Sequence, residues 1–595
     1  MCGIAGTLAT DGPVEPGLVE RMCESLDHRG PDSRGVFAED GVALGVARLA
    51  VIDVEGGDQP LRNEDGSVVV VCNGEIYNYR ELRDELIRRG HRFSSRSDTE
   101  VIAHLYEELG EGCVERLRGM FALAIWDRRA RRLLLARDRV GKKPLFYAER
   151  AGRLWFASEP RAILASEAVP REVDQEAIDL FLHYQVVPAP RSAFAAIRKL
   201  EPAHTLTWSD GLVSTRRYWK LSYRDGDAIP DEREACERIR EALLEATRLR
   251  LRSDVPVGAL LSGGVDSSSV VAAMARLSGK PVKTFSIGFD DGAFDESSYA
   301  REVARHYGTD HHELILDAGA MELLPRLAWH YGEPFADSSA LATFALAEHA
   351  RRHVTVALNG DGGDETFCGY ARHARPLPTR PLELHYAERR AHQYFDEAAR
   401  ADLYTREWAD GLRGHDWRAV VEGPYFDSDS SDPVERVVDV DVQTYLSEDL
   451  LVKMDIAAMA HSLEARSPYC DHVLMELAAA LPMSMKVKGE APKALLKQAV
   501  RPWLPERTVD RPKMGFMIPM DRWLGQSLAA EVLLDPGTLD RGLFRPERLE
   551  ALVAEHRDGS GDHGYRIWTL VMLELWFRTY VDRTPAQRPL ELSIA

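Results

Sequence analysis

The 595-residue chain has little cysteine. Its seven are odd in number and scattered, at positions 2, 23, 72, 113, 236, 368 and 470. No spacing among them resembles a zinc knuckle or a disulfide framework, and so sparse a set fits a reducing compartment. Long apolar runs are missing too: none reaches the ~20 residues that cross a bilayer, so no membrane partner is expected. The first residues show no cationic stretch leading into an apolar one, so no secretory signal is read and a cytoplasmic location is expected. Excess positive charge is absent. A net charge of −20 argues against nucleic acid or an anionic membrane surface as the main partner. Any phosphate must therefore be met locally, and no Gly-Lys-Thr of a Walker loop is available to meet it. Internal repeats and low-complexity tracts are also lacking.

What is present is enough for two or three domains with full cores. The first 215 or so residues read as short strands with two clear helices. Val68–Cys72 is a buried strand closed by Asn73-Gly74, a turn signal. Arg80–Arg89 is an amphipathic helix with Leu82 and Leu86 one turn apart and Gly90 as its stop. Asp98 or Thr99 can cap a second helix whose Val101, Ile102, Leu105 and Leu109 share one face. Further strands are read at 120–126, 132–136 and 154–157, and the basic run Arg128–Arg132 as a solvated hairpin turn. Many strands with few helices imply sheets packed on each other and flanked by helices. Residues 223–232, polar and acidic with Pro230, read as a linker. Beyond them the grammar changes to strand (257–261), Gly-rich loop, helix, strand (282–289), and later strand (354–358). That is a doubly wound parallel α/β sheet, with a mainly helical remainder to residue 595.

Three clusters carry chemistry. Cys2 follows the initiator Met1; once Met1 is clipped, one residue holds a thiol and an α-amine titrating near pH ~8, nucleophile and base together. Between a strand and a helix lies Ser262-Gly263-Gly264-Val265-Asp266-Ser267-Ser268, whose glycines let backbone approach an anion while hydroxyls and helix-start N–H groups hold it. After the later strand comes Asn359-Gly360-Asp361-Gly362-Gly363-Asp364-Glu365, carboxylates on loosened backbone, the donor type that Mg2+ takes beside phosphates.

The Ser-Gly-Gly-x-Asp-Ser loop resembles the pyrophosphate loop of N-type ATP pyrophosphatases, which cleave ATP to AMP and pyrophosphate. Cys2, Asn73-Gly74-Glu75 and His28-Arg29-Gly30-Pro31-Asp32 together resemble a class II glutamine amidotransferase domain, of the N-terminal nucleophile hydrolase type. The two sets cover nearly the whole chain and, with Lys453-Met454-Asp455, Ser462–Pro468 and Lys513–Phe516, are similar to the bacterial glutamine-hydrolysing asparagine synthetases. The resemblance implies a glutaminase domain at 2–215, the linker at 216–232 and a synthetase domain at 233–595. It implies Cys2 as nucleophile, with Asn73 and the Gly74 N–H as oxyanion donors. Arg48 would meet the carboxylate of glutamine, Asp98 and Glu75 its ammonium, and Val51 and Ile52 would complete the pocket through backbone groups; taken alone, Asp98 remains equally a helix cap. ATP would be held by Leu261, Ser262, Gly263, Gly264, Asp266, Ser267, Ser268, Ile287, Asn359 and Gly360, with Mg2+ shared by Asp266 and Asp364. Lys493 would neutralise developing phosphate charge, and a homodimer is suggested. The implied reaction turns aspartate, glutamine and ATP into asparagine, glutamate, AMP and pyrophosphate through a β-aspartyl-adenylate. Making ammonia in one domain and passing it through a dry interior to the other keeps it unprotonated.

Two departures stand out, the first altering geometry and the second bearing on the acceptor. Asp361 stands where some relatives have a glutamate that aids ammonia attack, and Glu333–Ser339 differs from a Thr-Thr version. The same chemistry on another carboxylate, in a secondary metabolite, a cell-envelope sugar or a peptide, is therefore the alternative. A non-catalytic glutamine or nucleotide sensor is a further one, and it predicts broken catalytic positions.

Overall fold

The computed structural model describes residues 2–224, 231–374, 394–511, 515, 517–524 and 526–583. Met1, residues 225–230 of the expected linker, and Lys513, Met514 and Phe516 of the expected C-terminal motif lie outside the described residues.

Two six-stranded antiparallel sheets form the N-terminal half. The strands are β1 (Cys2–Ala9), β2 (Ser33–Glu39), β3 (Val42–Arg48), β4 (Leu61–Arg62), β5 (Val68–Ile76), β6 (Gly119–Asp127), β7 (Arg132–Arg137), β8 (Phe146–Arg150), β9 (Arg153–Ala157), β10 (Arg198–Lys199), β11 (His204–Ser209) and β12 (Leu212–Arg217). One sheet runs β10-β8-β9-β1-β3-β2 and the other β12-β11-β7-β6-β5-β4. The two-residue period of a strand sorts their side chains into layers. Ile4, Val46, Val69, Val71, Trp126 and Phe156 interdigitate between the sheets. Val68, Val70 and Cys72 face the other way, onto Val101, Ile102 and Leu105 of a covering helix. Ala5, Ala43 and Ala47 likewise pack on Val19, Met22 and Cys23. The covering helices are α1 (Pro16–Glu24), α2 (Tyr79–Arg88) and α3 (Glu100–Leu109). An all-apolar strand such as 68–72 is what burial on both faces requires.

The expected turn at Asn73-Gly74 is wrong. β5 continues through Ile76, with Asn73 opposite Ala122 and Gly74 opposite Phe121. Glycine serves there for close approach: a Cβ on Gly74 would overlap the Met120 carbonyl oxygen. Leu109 was expected on the buried face of α3 but is 41% exposed, because the helix ends there and Gly110 turns the chain away at φ +56°. Arg128–Arg132 does form the β6–β7 turn, paired through Arg128 to Glu39 and Arg129 to Asp65.

In the C-terminal half, α4 (Glu232–Arg250), capped by the Asp231 side chain, leads into a five-stranded parallel sheet. Its strands are β13 (Val257–Leu260), β14 (Lys283–Phe289), β15 (Asp310–Leu316), β16 (Val356–Leu358) and β17 (Glu464–Arg466), in the order β15-β14-β13-β16-β17. Helices α5 (Val265–Leu277), α6 (Ser339–Arg351), α7 (Leu451–Met459) and α8 (Gly564–Trp576) are among those that pack around it. β15 and β17 were not read from sequence. The described part of the expected linker is not free: β12 runs to Arg217, and Leu221 is buried against Val442, Leu446 and Met475. Among the described residues no helix is long and apolar enough to cross a membrane.

Candidate functional site

The first site forms where β1 begins. Cys2 pairs with Arg48 across β1–β3 and is 4% exposed. Its backbone N–H donates to Asn73 Oδ1 at 3.2 Å, and its carbonyl accepts from Arg29 Nε at 3.2 Å. Gln59 Nε2 lies 3.9 Å from the thiol. Burial pushes the thiol above its usual range, with the Leu49 backbone amide and Arg48 opposing. A thiol so placed needs a local base to become a nucleophile. Asn73 is fully buried, and its Nδ2 reaches Ser158 Oγ at 3.4 Å.

Three carboxylates and an arginine line the same region. Asp98 Oδ2 accepts the Ile76 N–H at 2.7 Å, so it does not cap α3, and Thr99 makes no capping bond either. Burial pushes Asp98 up to about 6. Burial, with Glu464 and Asp98 adding, also holds Glu75 well above the carboxylate range, and Glu75 Oε2 is buried without a hydrogen bond. Arg466 Nη2 lies 3.3 Å from that oxygen, while Arg466 Nε donates to Glu464 at 2.6 Å. Burial opposes ionisation of Glu464, but Arg466 together with the other positive groups around it, Lys143 among them, outweighs burial and brings the group down to about 2. Glu464 and Glu75 thus share one guanidinium. Arg48 is 4% exposed, and its Nη1 donates to Asp58 at 2.9 Å and to the Val54 carbonyl at 3.2 Å. Its Nη2 donates to the Asp53 carbonyl at 2.7 Å and the Ile52 carbonyl at 3.3 Å. The Asp58 side chain is 68% exposed. Val51 and Ile52 are buried, and the Val51 carbonyl accepts from Asp254 N across to the other half.

The second site is a cavity of about 490 Å³ at the C-terminal ends of β13 and β16. The chain order reverses between these two strands, and that is where a parallel sheet opens a crevice. Leu261, Ser262, Gly264, Asp266, Ser267, Ile287, Asn359, Gly360, Asp361, Asp364 and Lys493 all line it. The sequence motifs therefore converge. Gly263 and Ser268 stand behind the wall. A Cβ on Gly263, at φ +74°, would strike the Tyr299–Ala300 backbone, and Ser268 is fully buried. Ser262 Oγ and Ser267 Oγ lie 3.0 Å apart, bending the loop over the start of α5. Gly360 lets the acidic loop touch that helix, since a Cβ there would sit 2.7 Å from Ser267 N.

Lys493, in left-handed conformation at φ +60°, places Nζ 2.6 Å from Asp266 Oδ2 and 2.6 Å from Asp364 Oδ1. Burial opposes its charge, but the two aspartates outweigh burial and hold it protonated. Both carboxylates therefore converge on one point of positive charge, and Gly363 makes room, its Cβ position being 2.6 Å from Asp266 Cγ. That all-oxygen pair fits a hard divalent cation. Asp361 accepts from Asn359 Nδ2 at 2.8 Å; burial raises its carboxyl, with Lys142 the largest opposing charge. In the 333–339 segment only the end reaches the cavity. Asp337 pairs with Lys453 at 2.8 Å there, whereas Glu333 turns away to Lys199 at 2.6 Å.

The profile of the family described as asparagine synthase matches residues 238–578, and that of the glutamine amidotransferase domain matches residues 1–219. The chain belongs to the asparagine synthase family. The glutamine-hydrolysing asparagine synthetase 1 of Bacillus subtilis is 33% identical over 98% of this chain and 97% of its own. A putative glutamine-hydrolysing asparagine synthetase of Mycobacterium bovis is 33% identical over 98% of both chains. The amidase chry2 of Gibberella zeae is 30% identical over 89% of this chain and 91% of its own.

In this asparagine synthase-family chain, residue types and spacing left several site groups unread. Glu464 and Arg466 come from β17 of the synthetase half yet sit on the glutaminase carboxylates; Gln59 and Ser158 flank Cys2 and Asn73. Lys142 Nζ donates to Ser467 Oγ at 2.8 Å, and Ser467 Oγ donates to Asn359 Oδ1 at 2.6 Å, so a loop of the N-terminal half touches the wall of the second cavity. Their signals are tertiary ion pairs and hydrogen bonds, which leave no periodicity in the chain.

Proposed function

We propose that the chain is an AMP-forming, glutamine-hydrolysing ligase that makes asparagine from aspartate. The observation that carries this reading is the convergence of two separate motif sets. One builds a buried thiol beside Asn73, and the other a cavity at the sheet's switch point with paired aspartates and Lys493.

With Met1 removed, the Cys2 amine takes the thiol proton and the sulfur attacks the glutamine amide. Asn73 Nδ2 and the Gly74 N–H donate to the oxyanion, Arg48 exchanges Asp58 for the substrate carboxylate, and Asp98 takes the ammonium with Glu75 beside it. At the second site, the Ser262–Ser267 loop and the first amides of α5 hold the phosphates while Ile287, Leu261 and Gly360 contact the nucleoside. Asp266 and Asp364 would hold Mg2+, which supplies positive charge beside the departing pyrophosphate. Lys493 then turns from the two aspartates to the phosphates. Asp361 takes a proton from attacking ammonia. Asp337 and Lys453 lie where an acceptor's charged groups would meet them.

A second reading keeps this chemistry on a larger acid. It draws on the tyrosines 370, 394, 445 and 565 and on Met517, which line the same cavity and exceed what aspartate needs. Incubation with aspartate, glutamine and Mg-ATP separates the two. Asparagine with equimolar AMP and pyrophosphate supports the first; no AMP with aspartate, but AMP with another carboxylic acid, supports the second. No nucleotide turnover with any acid, despite glutamine and ATP binding, would leave a sensor.

A further inference from the structure

Away from both sites, two histidines and two glutamates meet at the free edge of the second sheet. Glu64 lies in the β4–β5 turn, His91 just after α2, and His104 and Glu107 one turn apart on α3. One ligand atom from each lies within 4.8 Å of the others. Among the described residues this is the one such grouping of three or more metal-ligating side chains.

His104 is the deciding residue. Its ring is fully buried, and neither nitrogen makes a hydrogen bond. A buried imidazole held only by long contacts to carboxylates is better satisfied by a cation within reach. Its Nδ1 faces Glu64 Oε2 at 3.3 Å, and its Nε2 faces Glu100 Oε1 at 3.6 Å. His91 repeats the arrangement, with Nδ1 3.2 Å from Glu64 Oε1 and Nε2 3.0 Å from Glu108 Oε1. Each ring thus turns one nitrogen toward Glu64 and the other toward an outer carboxylate, the orientation that fixes a metal-binding tautomer. The outer groups are themselves anchored: Arg89 donates to Glu108 at 3.0 Å and Ser94 N to Glu100 at 2.6 Å. Glu107 is held by Asn63 Nδ2 at 3.0 Å, and Glu64 by Arg92 N at 2.7 Å. Four carboxylates around two imidazoles call for added positive charge.

We propose that Glu64, His91, His104 and Glu107 form a structural divalent-metal site, with Zn2+ as the occupant. Two imidazole nitrogens and two carboxylate oxygens make a four-ligand set of the borderline hardness that Zn2+ prefers, and four protein ligands close the coordination sphere as structural sites do. The ion would tie α3 to the β4–β5 turn and to the segment after α2, three elements with no covalent link at that edge.

The test uses the full-length protein stripped with a chelator and titrated with Zn2+ against a chromophoric competitor, with Co2+ as a spectroscopic stand-in. Expected are one strongly held Zn2+ per chain, a higher Tm on binding, and visible d–d bands of four-coordinate Co2+. Affinity should fall about tenfold or more in His91→Asn, Glu107→Gln and His104→Asn, with the bands lost. His91 and Glu107 sit toward the surface, so their variants keep the test open should the His104 variant fail to fold. Any ion held at Asp266 and Asp364 is common to wild type and variants and cancels in the comparison. Absence of micromolar-or-tighter binding, or equal affinity in wild type and all three variants, would overturn the site.

Discussion

At the level of single residues, the buried carboxyl of Asp98 gives the sharpest test. Its pKa of about 6 lies above that of a free aspartate because burial disfavours the charge. A raised acid works against folding once ionised: the penalty is fully present above pH ~6 and gone below pH ~4, where both states are protonated. Two units correspond to about 3 kcal/mol. Asp98→Asn keeps an acceptor for the Ile76 N–H and removes the charge, so its Tm at pH 8 should exceed wild type while the two converge near pH 4. In the proposed role, Asp98 must be ionised to meet the ammonium of glutamine. The KM for glutamine in wild type should therefore rise roughly tenfold per unit as pH falls below 6, and the Asn variant should lose that dependence along with most of its affinity. Cys2→Ala makes the complementary cut: glutamine hydrolysis should vanish while synthesis from added ammonium persists. If ammonium-dependent synthesis is lost as well, the division of labour between the two sites is wrong.

Among the secondary-structure elements, the nucleotide cavity depends on how closely two loops approach. Gly360 brings the loop after β16 against the start of α5, with its Cβ position 2.7 Å from Ser267 N and 2.9 Å from Asp266 Cβ. Gly360→Ala should push the loops apart at a cost of about 1–3 kcal/mol, weakening ATP binding by roughly 5- to 150-fold in calorimetry while glutaminase activity stays. Unchanged ATP affinity would mean the loops do not jointly hold the nucleotide. This site was legible in the chain because Gly-rich loops after apolar strands are local patterns. β13 and β16 are short apolar runs, and the loops that follow them carry the chemistry. β17 escaped because its three residues are Glu-Ala-Arg, and charged side chains look solvent-exposed until a partner half buries them. β15, Asp-His-His-Glu-Leu-Ile-Leu, opens polar because it is an edge strand. Asn73-Gly74 read as a turn because propensity favours one there, yet the β5–β6 pairing overrides it and uses the glycine for close approach. The ligand set at the free sheet edge was invisible for a related reason: its members are 27, 13 and 3 residues apart in sequence and meet only when α3 folds over β4 and β5.

For the molecule as a whole, the two halves are joined by buried ions rather than by apolar surface alone. Asp455 on α7 accepts from Arg29 Nη2 at 2.7 Å and from Lys143 Nζ at 2.7 Å, and all three side chains are essentially unexposed. Glu159 completes the group through Arg29 at 2.9 Å and Arg161 at 2.8 Å. Burial opposes the charge of Asp455, but Arg29 and then Lys143 outweigh it and hold the carboxyl below its ordinary range. Stability from this pair is present above the unfolded carboxylate pKa and is lost as pH falls through the lower folded value. Such a cluster contributes little net stability when whole but costs heavily when one partner goes, because the others stay buried and uncompensated. Arg29 is also the donor to the Cys2 carbonyl, so the ion cluster and the nucleophile share a residue. Asp455→Asn should therefore destabilise the protein by about 3–5 kcal/mol and, where folded protein is recovered, slow glutamine hydrolysis although residue 455 belongs to the other half. Asp471, which receives Arg118 from the glutaminase half and Arg250 from α4 at 2.8 Å each, supplies the control. Its carboxylate is equally buried but has no contact with Cys2, and Arg250 meets the first site only through its backbone carbonyl, which accepts from Arg466 at 2.6 Å, so Asp471→Asn should lower Tm comparably and leave glutaminase kcat near wild type. If the two variants lose activity in parallel with stability, the ion cluster is only a fastener, and the coupling of Asp455 to Cys2 through Arg29 is refuted.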